Sequence, residues 1–157
     1  MKTADLIDSH AGGLSLLHLP FRLFGSTRAI AAPIQTVKCF EDNSVLRAEL
    51  EQPGEGRALV VDGGGSTRVA LLGDLLAARA IRNGWTAVIV AGAIRDSAEI
   101  EAMDLMVAAL GTSPVKSAKA GWGTLGVPLE IGGARLRPGQ WIYADADGLL
   151  TSPEQLT

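Results

Sequence analysis

The chain has a single cysteine, Cys39, so no intrachain disulfide can staple it. Histidine is nearly as scarce: His10 and His18 both lie in the N-terminal segment, away from the acidic motifs, which argues against a histidine-based zinc site. Aromatic residues make up only 4% of the sequence, too few for a bulky aromatic ligand cage. Neither sign of charge forms a block. With 14 basic and 17 acidic residues the net charge is −3, and the basic stripe of a nucleic-acid-binding surface is missing. The longest strongly apolar stretch, 87–94, is broken by Gly92 and is far too short to span a membrane. The chain does not open with the basic and then apolar segments of a secretory signal. The expectation is a cytoplasmic protein that binds neither nucleic acid nor membrane directly.

The abundant residues are small and apolar: 47% of the chain is hydrophobic and 19 residues are glycine. At 157 residues the chain is expected to form a single domain, 1–157, large enough to bury a core. Helices are expected at 3–8, 42–51 (capped by Asp42 or Asn43), 74–83 and 97–103, the last opened by Ser97. Strands are expected at 21–25, within 32–40, and at 59–62, 87–90 and 105–110. The tail reads as a hairpin of 127–131 and 135–136 around Gly132-Gly133, then strands 141–144 and 149–151 flanking the 145–148 turn. Helices alternate with strands in the middle and strands alone close the chain, the pattern of a mixed α/β domain.

Three motifs bear on chemistry. The glycine-rich 60–66 (VVDGGGS) superficially resembles the first loop of nucleotide- or S-adenosylmethionine-binding folds. No acidic residue ends a following strand at the distance those folds need, so a tight loop that brings 68–74 close to the next strand is the favoured reading. The run 145–148 (DADG) is a fragment of a calcium loop, but Leu156 stands where the bidentate glutamate would be, so a β-turn is expected.

The third motif is a spacing: Asp74, twenty residues, then Arg95-Asp96. Asp74 alone reads as a helix-capping aspartate, and Asp96 beside Arg95 as an exposed ion pair. A parallel βαβ unit, however, brings both points to one end of a sheet, where ligands bind. Two carboxylates and a guanidinium there suit a hard divalent cation beside an anionic oxo-acid. Gly73 leaves the amides of Asp74, Leu75 and Leu76 available to a carboxylate at a helix N-terminus. Lys116 and Lys119 could line the same pocket or simply be solvated, and the solvated reading is favoured.

These residues, with FRLFG (21–25), TVKCFEDN (36–43), GDLLA (73–77), NGW (83–85), PVKSAKAG (114–121) and RPGQWIYADADGLL (137–150), resemble the family named for regulation of ribonuclease E activity (RraA-like). The same family contains the 4-hydroxy-4-methyl-2-oxoglutarate aldolases. The resemblance implies a compact β/β/α fold with a mixed sheet, related to swivelling phosphohistidine domains, in a ring-shaped homotrimer or a dimer of such trimers. It also implies a metal-dependent aldolase that releases pyruvate and decarboxylates oxaloacetate through a shared enolate. Asp96 would hold Mg²⁺ or Mn²⁺, Arg95 would bind at the 2-oxo oxygen, and Asp74 would orient a water. The Gly73–Leu76 turn would hold the carboxylate. The ribonuclease-regulating branch tends to lose the acidic positions, which this sequence keeps. The alternative is a non-catalytic module that inhibits a ribonuclease E-type protein through protein contact. Longer aldolases carry a further C-terminal segment that helps complete the site in a neighbouring subunit, whereas oxaloacetate decarboxylation needs only the small pocket that this sequence keeps.

Overall fold

The computed structural model describes residues 2–10 and 12–156. A small helix, α1 (Thr3–Ser9), precedes the strands β1 (Ser15–Leu16), β2 (Arg22–Phe24) and β3 (Ile30–Lys38). Then come α2 (Ser44–Leu50), β4 (Ala58–Asp62), β5 (Ala70–Leu72), α3 (Asp74–Arg82), β6 (Ala87–Ile94), α4 (Ser97–Glu101) and β7 (Met106–Thr112). The last third is all strand: β8 (Thr124–Leu125), β9 (Leu129–Ile131), β10 (Ala134–Leu136), β11 (Trp141–Asp145) and β12 (Gly148–Ser152).

The architecture is mixed α/β, as expected. The main sheet runs β1-β12-β11-β3-β4-β6-β7-β2; β5 also pairs with β6 and β8 with β3. Its centre, β3-β4-β6-β7, is parallel and its flanks are antiparallel. All eight residues of β6 are buried, because core covers both faces of the sheet, as parallel strands require. On one face α2, α3 and α4 set Leu46, Leu50, Ala77 and Ile100 against Val37, Leu59, Val61 and Val88. On the other, Ile34, Val60 and Ile89 meet the β9–β10 hairpin through Leu129, Ile131 and Leu136.

The expected elements are present, but their bounds differ in ways that matter. β6 continues past the expected end at Val90 as far as Ile94. Helix α4 stops at Glu101, and Asp96 rather than Ser97 occupies its cap position. Gly73 caps α3, with Asp74 as its first helical residue, so Asp74 is not the cap. Strands β1, β5 and β8 have no counterpart in the sequence reading; each is only two or three residues long. The DADG run is a turn: the Asp145 carboxylate accepts hydrogen bonds from the amide and hydroxyl of Thr3 (2.8 and 2.7 Å) and from the Asp147 amide (3.0 Å), tying α1 to the sheet.

One buried carboxylate fixes the 118–120 segment beside the start of α2. Asp42 is fully buried; it accepts from the amides of Ser44 (2.9 Å) and Ala120 (2.7 Å), while the Ala118 amide donates to the Glu41 carbonyl (2.9 Å). Burial pushes its pKa up, but these hydrogen bonds more than offset that and hold it below the ordinary value. A carboxylate lowered in the folded state stabilises the fold above its unfolded pKa, and that contribution is lost as pH falls through the folded value. Asp42→Asn should therefore cost about 1–3 kcal/mol at pH 7. In thermal unfolding from pH 7 down to pH 2, the gap between variant and parent should narrow towards the acid end; a constant gap would contradict this role.

Candidate active site

The glycine loop sets up the site by controlling which strand lies beside β6. β4 accompanies β6 from Ala58↔Ala87 to Asp62↔Ala91 and then ends. The amides of Gly63 (3.2 Å) and Gly65 (3.0 Å) both donate to the Ala91 carbonyl, and a Cβ on Gly63 would sit 2.9 Å from that same oxygen. Glycine is needed here for close approach of two backbones. Because these two amides serve β6, they do not form an anion cradle. The chain then returns as β5, which takes the place of β4 through Ala70↔Ala93 and Leu72↔Ile94.

β5, α3 and β6 thus form a parallel βαβ unit, and the residues just past each strand become neighbours. The Arg95 amide donates to the Leu72 carbonyl (2.9 Å) and the Asp74 amide donates to Asp96 Oδ2 (3.1 Å). A Cβ on Gly73 would lie 2.8 Å from Asp96 Oδ2 and 3.4 Å from Cγ and Nε of Arg95, so only glycine fits between them without displacement. Asp96 has left-handed backbone angles (φ 56°, ψ 40°), which are sparsely populated for a non-glycine residue. Such strain persists where surrounding structure enforces it, often at a functional site.

The two carboxyl groups are in direct contact. The hydrogen bond to Asp96 is the main cause that raises the Asp74 pKa; burial and the charge of Asp96 add to it. Like charges this close favour one shared proton, and a divalent cation would relieve the same repulsion. The donors are hard oxygens, and among the described residues no cluster of three or more His, Cys, Asp or Glu surrounds them. The pair therefore fits a cation that keeps most of its water, as Mg²⁺ does. Cys39 offers no competing chemistry: burial, then Asp42 and Asp62, push its thiol up to about 12.

The sequence-predicted residues Gly73, Asp74, Leu75, Leu76, Arg95 and Asp96 all line one cavity of about 160 Å³. That volume suits a small metabolite better than a nucleotide-sized cofactor. Part of the predicted carboxylate cradle is already engaged, since the Asp74 amide bonds to Asp96 and the Leu75 amide to the Asp74 carboxyl. Lys116 and Lys119 are exposed, as expected, but they also line the cavity, as do Asn43 and Arg47, which the sequence reading did not single out. Asn43 could have been suspected from its place at the start of α2, at the same end of the sheet.

Comparison with known proteins agrees with this geometry. The RraA-like profile (Aldolase/RraA) matches residues 3–151, and the chain belongs to that family. A relative from Laribacter hongkongensis, provisionally named 4-hydroxy-4-methyl-2-oxoglutarate aldolase, is 50% identical over 98% of this chain and 97% of its own length. A Geobacillus kaustophilus structure described as an S-adenosylmethionine:2-dimethylmenaquinone methyltransferase superimposes with a TM-score of 0.97 at 52% identity, covering 99% of this chain and 97% of the other. The RNA-processing inhibitor RraA from Thermus thermophilis gives 0.96 at 43% identity, covering 100% and 95%.

The raised pKa of Asp74 has a testable consequence for stability. A carboxyl raised in the folded state favours folding below its unfolded pKa and penalises it as pH rises through the folded value. In the metal-free protein Asp74→Asn should raise the melting temperature at pH 7 and lose that advantage near pH 3. A variant that melts lower than the parent at pH 7 would contradict the carboxyl contact.

Proposed function

We propose that the protein is a divalent-metal-dependent lyase. It cleaves 4-hydroxy-4-methyl-2-oxoglutarate-type substrates to pyruvate and decarboxylates oxaloacetate through the same enolate. The observation that carries the reading is the Asp74–Asp96 carboxyl pair sharing a small cavity with Arg95. Membership of a family with relatives named as aldolases supports it.

In this reading Asp96 holds Mg²⁺ or Mn²⁺, with Asp74 beside it. When bound, the cation would supply Lewis acidity at the 2-oxo oxygen. Arg95 donates to that same oxygen and stabilises the negative charge that bond cleavage delivers to it. The first turn of α3, Gly73–Leu76, is the positive end of the helix dipole and seats the substrate carboxylate. In aldol cleavage the 4-hydroxyl loses its proton, the C3–C4 bond breaks, and its electron pair forms the enolate. A water oriented by Asp74 carries the proton away and returns one to C3. In oxaloacetate the same bond breaks with CO₂ as the leaving group, and the same protonation at C3 gives pyruvate.

A second reading, inhibition of a ribonuclease E-type protein, is favoured by the likeness to the Thermus RNA-processing inhibitor. It needs neither carboxylate, so binding to such a protein would survive Asp96→Ala. Methyl transfer has less support, because two amides of the glycine loop are committed to Ala91.

Pyruvate release from oxaloacetate and from 4-hydroxy-4-methyl-2-oxoglutarate should require Mg²⁺ or Mn²⁺ and stop in EDTA. Asp96→Ala should abolish the metal-dependent rate, and Arg95→Ala should lower kcat by roughly 10²–10³-fold. Equal rates with Mg²⁺ and EDTA would overturn the proposal.

A further inference from the structure

The cavity carries more positive charge than the chemistry at Asp96 requires. Besides Arg95 it is lined by Arg47, Arg79, Lys116 and Lys119, against only the two carboxyls of Asp74 and Asp96. Arg79 is occupied, pairing with Glu51 at 2.7 Å and so linking α3 to α2. Among the described residues Arg47, Lys116 and Lys119 make no ion pair. Unpaired cations on a convex surface are ordinary, but several lining one concave site concentrate a field that favours an anion.

The backbone segments that carry these cations are held in place. Arg47 is the fourth residue of α2, one turn beyond Asn43, and the two share the helix side that faces the cavity. The backbone between Lys116 and Lys119 is pinned on both sides. The Ala70 amide donates to the Val115 carbonyl (2.8 Å), the Asn43 amide to the Ala118 carbonyl (3.3 Å), and Ala120 is fastened by Asp42.

Asn43 supplies an independent observation. It is 7% exposed and its Nδ2 donates to the Leu71 carbonyl (3.2 Å), which fixes the amide orientation. Its Oδ1 is buried with no hydrogen-bond partner. An amide oxygen only accepts, so its partner would be a donor on a ligand, such as a hydroxyl, and not the carboxylate that the neighbouring cations attract.

We infer that Arg47 and Lys119 form a second acid subsite, which binds the carboxylate at the far end of a dicarboxylic 2-oxo acid. The inference rests on the oxo-acid reading above. It makes the two cations specificity-determining residues: Arg95 and the α3 turn hold the pyruvyl end that all substrates share, while Arg47 and Lys119 select those with a second carboxylate.

The test compares two non-reacting ligands of the full-length protein by calorimetry in Mg²⁺. Pyruvate presents only the shared end; 2-oxoglutarate adds the distal carboxylate and lacks the 4-hydroxyl needed for cleavage. The parent should bind 2-oxoglutarate more tightly than pyruvate. Arg47→Gln combined with Lys119→Gln should weaken 2-oxoglutarate about tenfold or more, the scale of a lost charged hydrogen bond, and leave pyruvate within about twofold. Retained pyruvate affinity also shows that the variant is folded. Equal weakening of both ligands, or of neither, would overturn the subsite. Failure of the parent to bind pyruvate at all would instead overturn the oxo-acid reading, and this inference with it.

Discussion

Parallel pairing of the three-residue strand β5 with the far half of β6 is the contact on which the site depends. β4 leaves β6 at Ala91, and the chain comes back beside β6 only because Gly63 and Gly65 bind the Ala91 carbonyl and turn it. Once β5 occupies that place, Leu72 accepts from Arg95, and Gly73 has nowhere to put a side chain. The left-handed turn at Asp96 then brings its carboxylate onto the Asp74 amide. Every later feature, from the raised pKa of Asp74 to the guanidinium lying along Gly73, follows from two strands ending side by side. The position agrees with the general preference of open α/β sheets for ligands at the carboxyl ends of their strands.

The electrostatic design is one of enforced repulsion. Asp96 raises the pKa of the neighbouring Asp74 carboxyl, and the hydrogen bond from the Asp74 amide keeps Asp96 Oδ2 close by. Stability given up at one point in this way is a recurrent mark of functional sites. The rest of the domain compensates through a sheet buried on both faces and through satisfied acids such as Asp42 and Asp145. The relatives show why the site has to be read directly. Proteins with nearly the same backbone are described as a methyltransferase and an inhibitor of RNA processing, a close sequence relative is provisionally named an aldolase, and a shared fold does not choose among them.

Much of this was legible in the residues, for physical reasons that differ from element to element. The helix 74–83 and the strand opening at Ala87 have strong periodicity or unbroken apolarity, and the Gly132-Gly133 turn carries its own hairpin geometry. The coincidence of Asp74 with Arg95-Asp96 was visible as a βαβ spacing. The strand that produces it was not, because three residues, Ala70–Leu72, are too few to show a period. The bulge near Gly92 likewise hid the last part of β6, and a register shift on both of its sides accommodates that glycine. Arg47 lies far in sequence from the acids, and tertiary hydrogen bonds bring its segment to the Lys116–Lys119 segment, so nothing local marked it as a neighbour of the acids.

The proposed function rests on the β5–β6 junction turning two distant aspartates into a single hard-cation site. Anomalous diffraction from crystals grown with Mn²⁺ tests it most directly. The prediction is a strong manganese peak within about 2.0–2.3 Å of an Asp96 carboxylate oxygen, with waters filling most remaining positions and Asp74 in the surrounding shell. No peak there, with the Asp74–Asp96 hydrogen bond intact at saturating Mn²⁺, would contradict it.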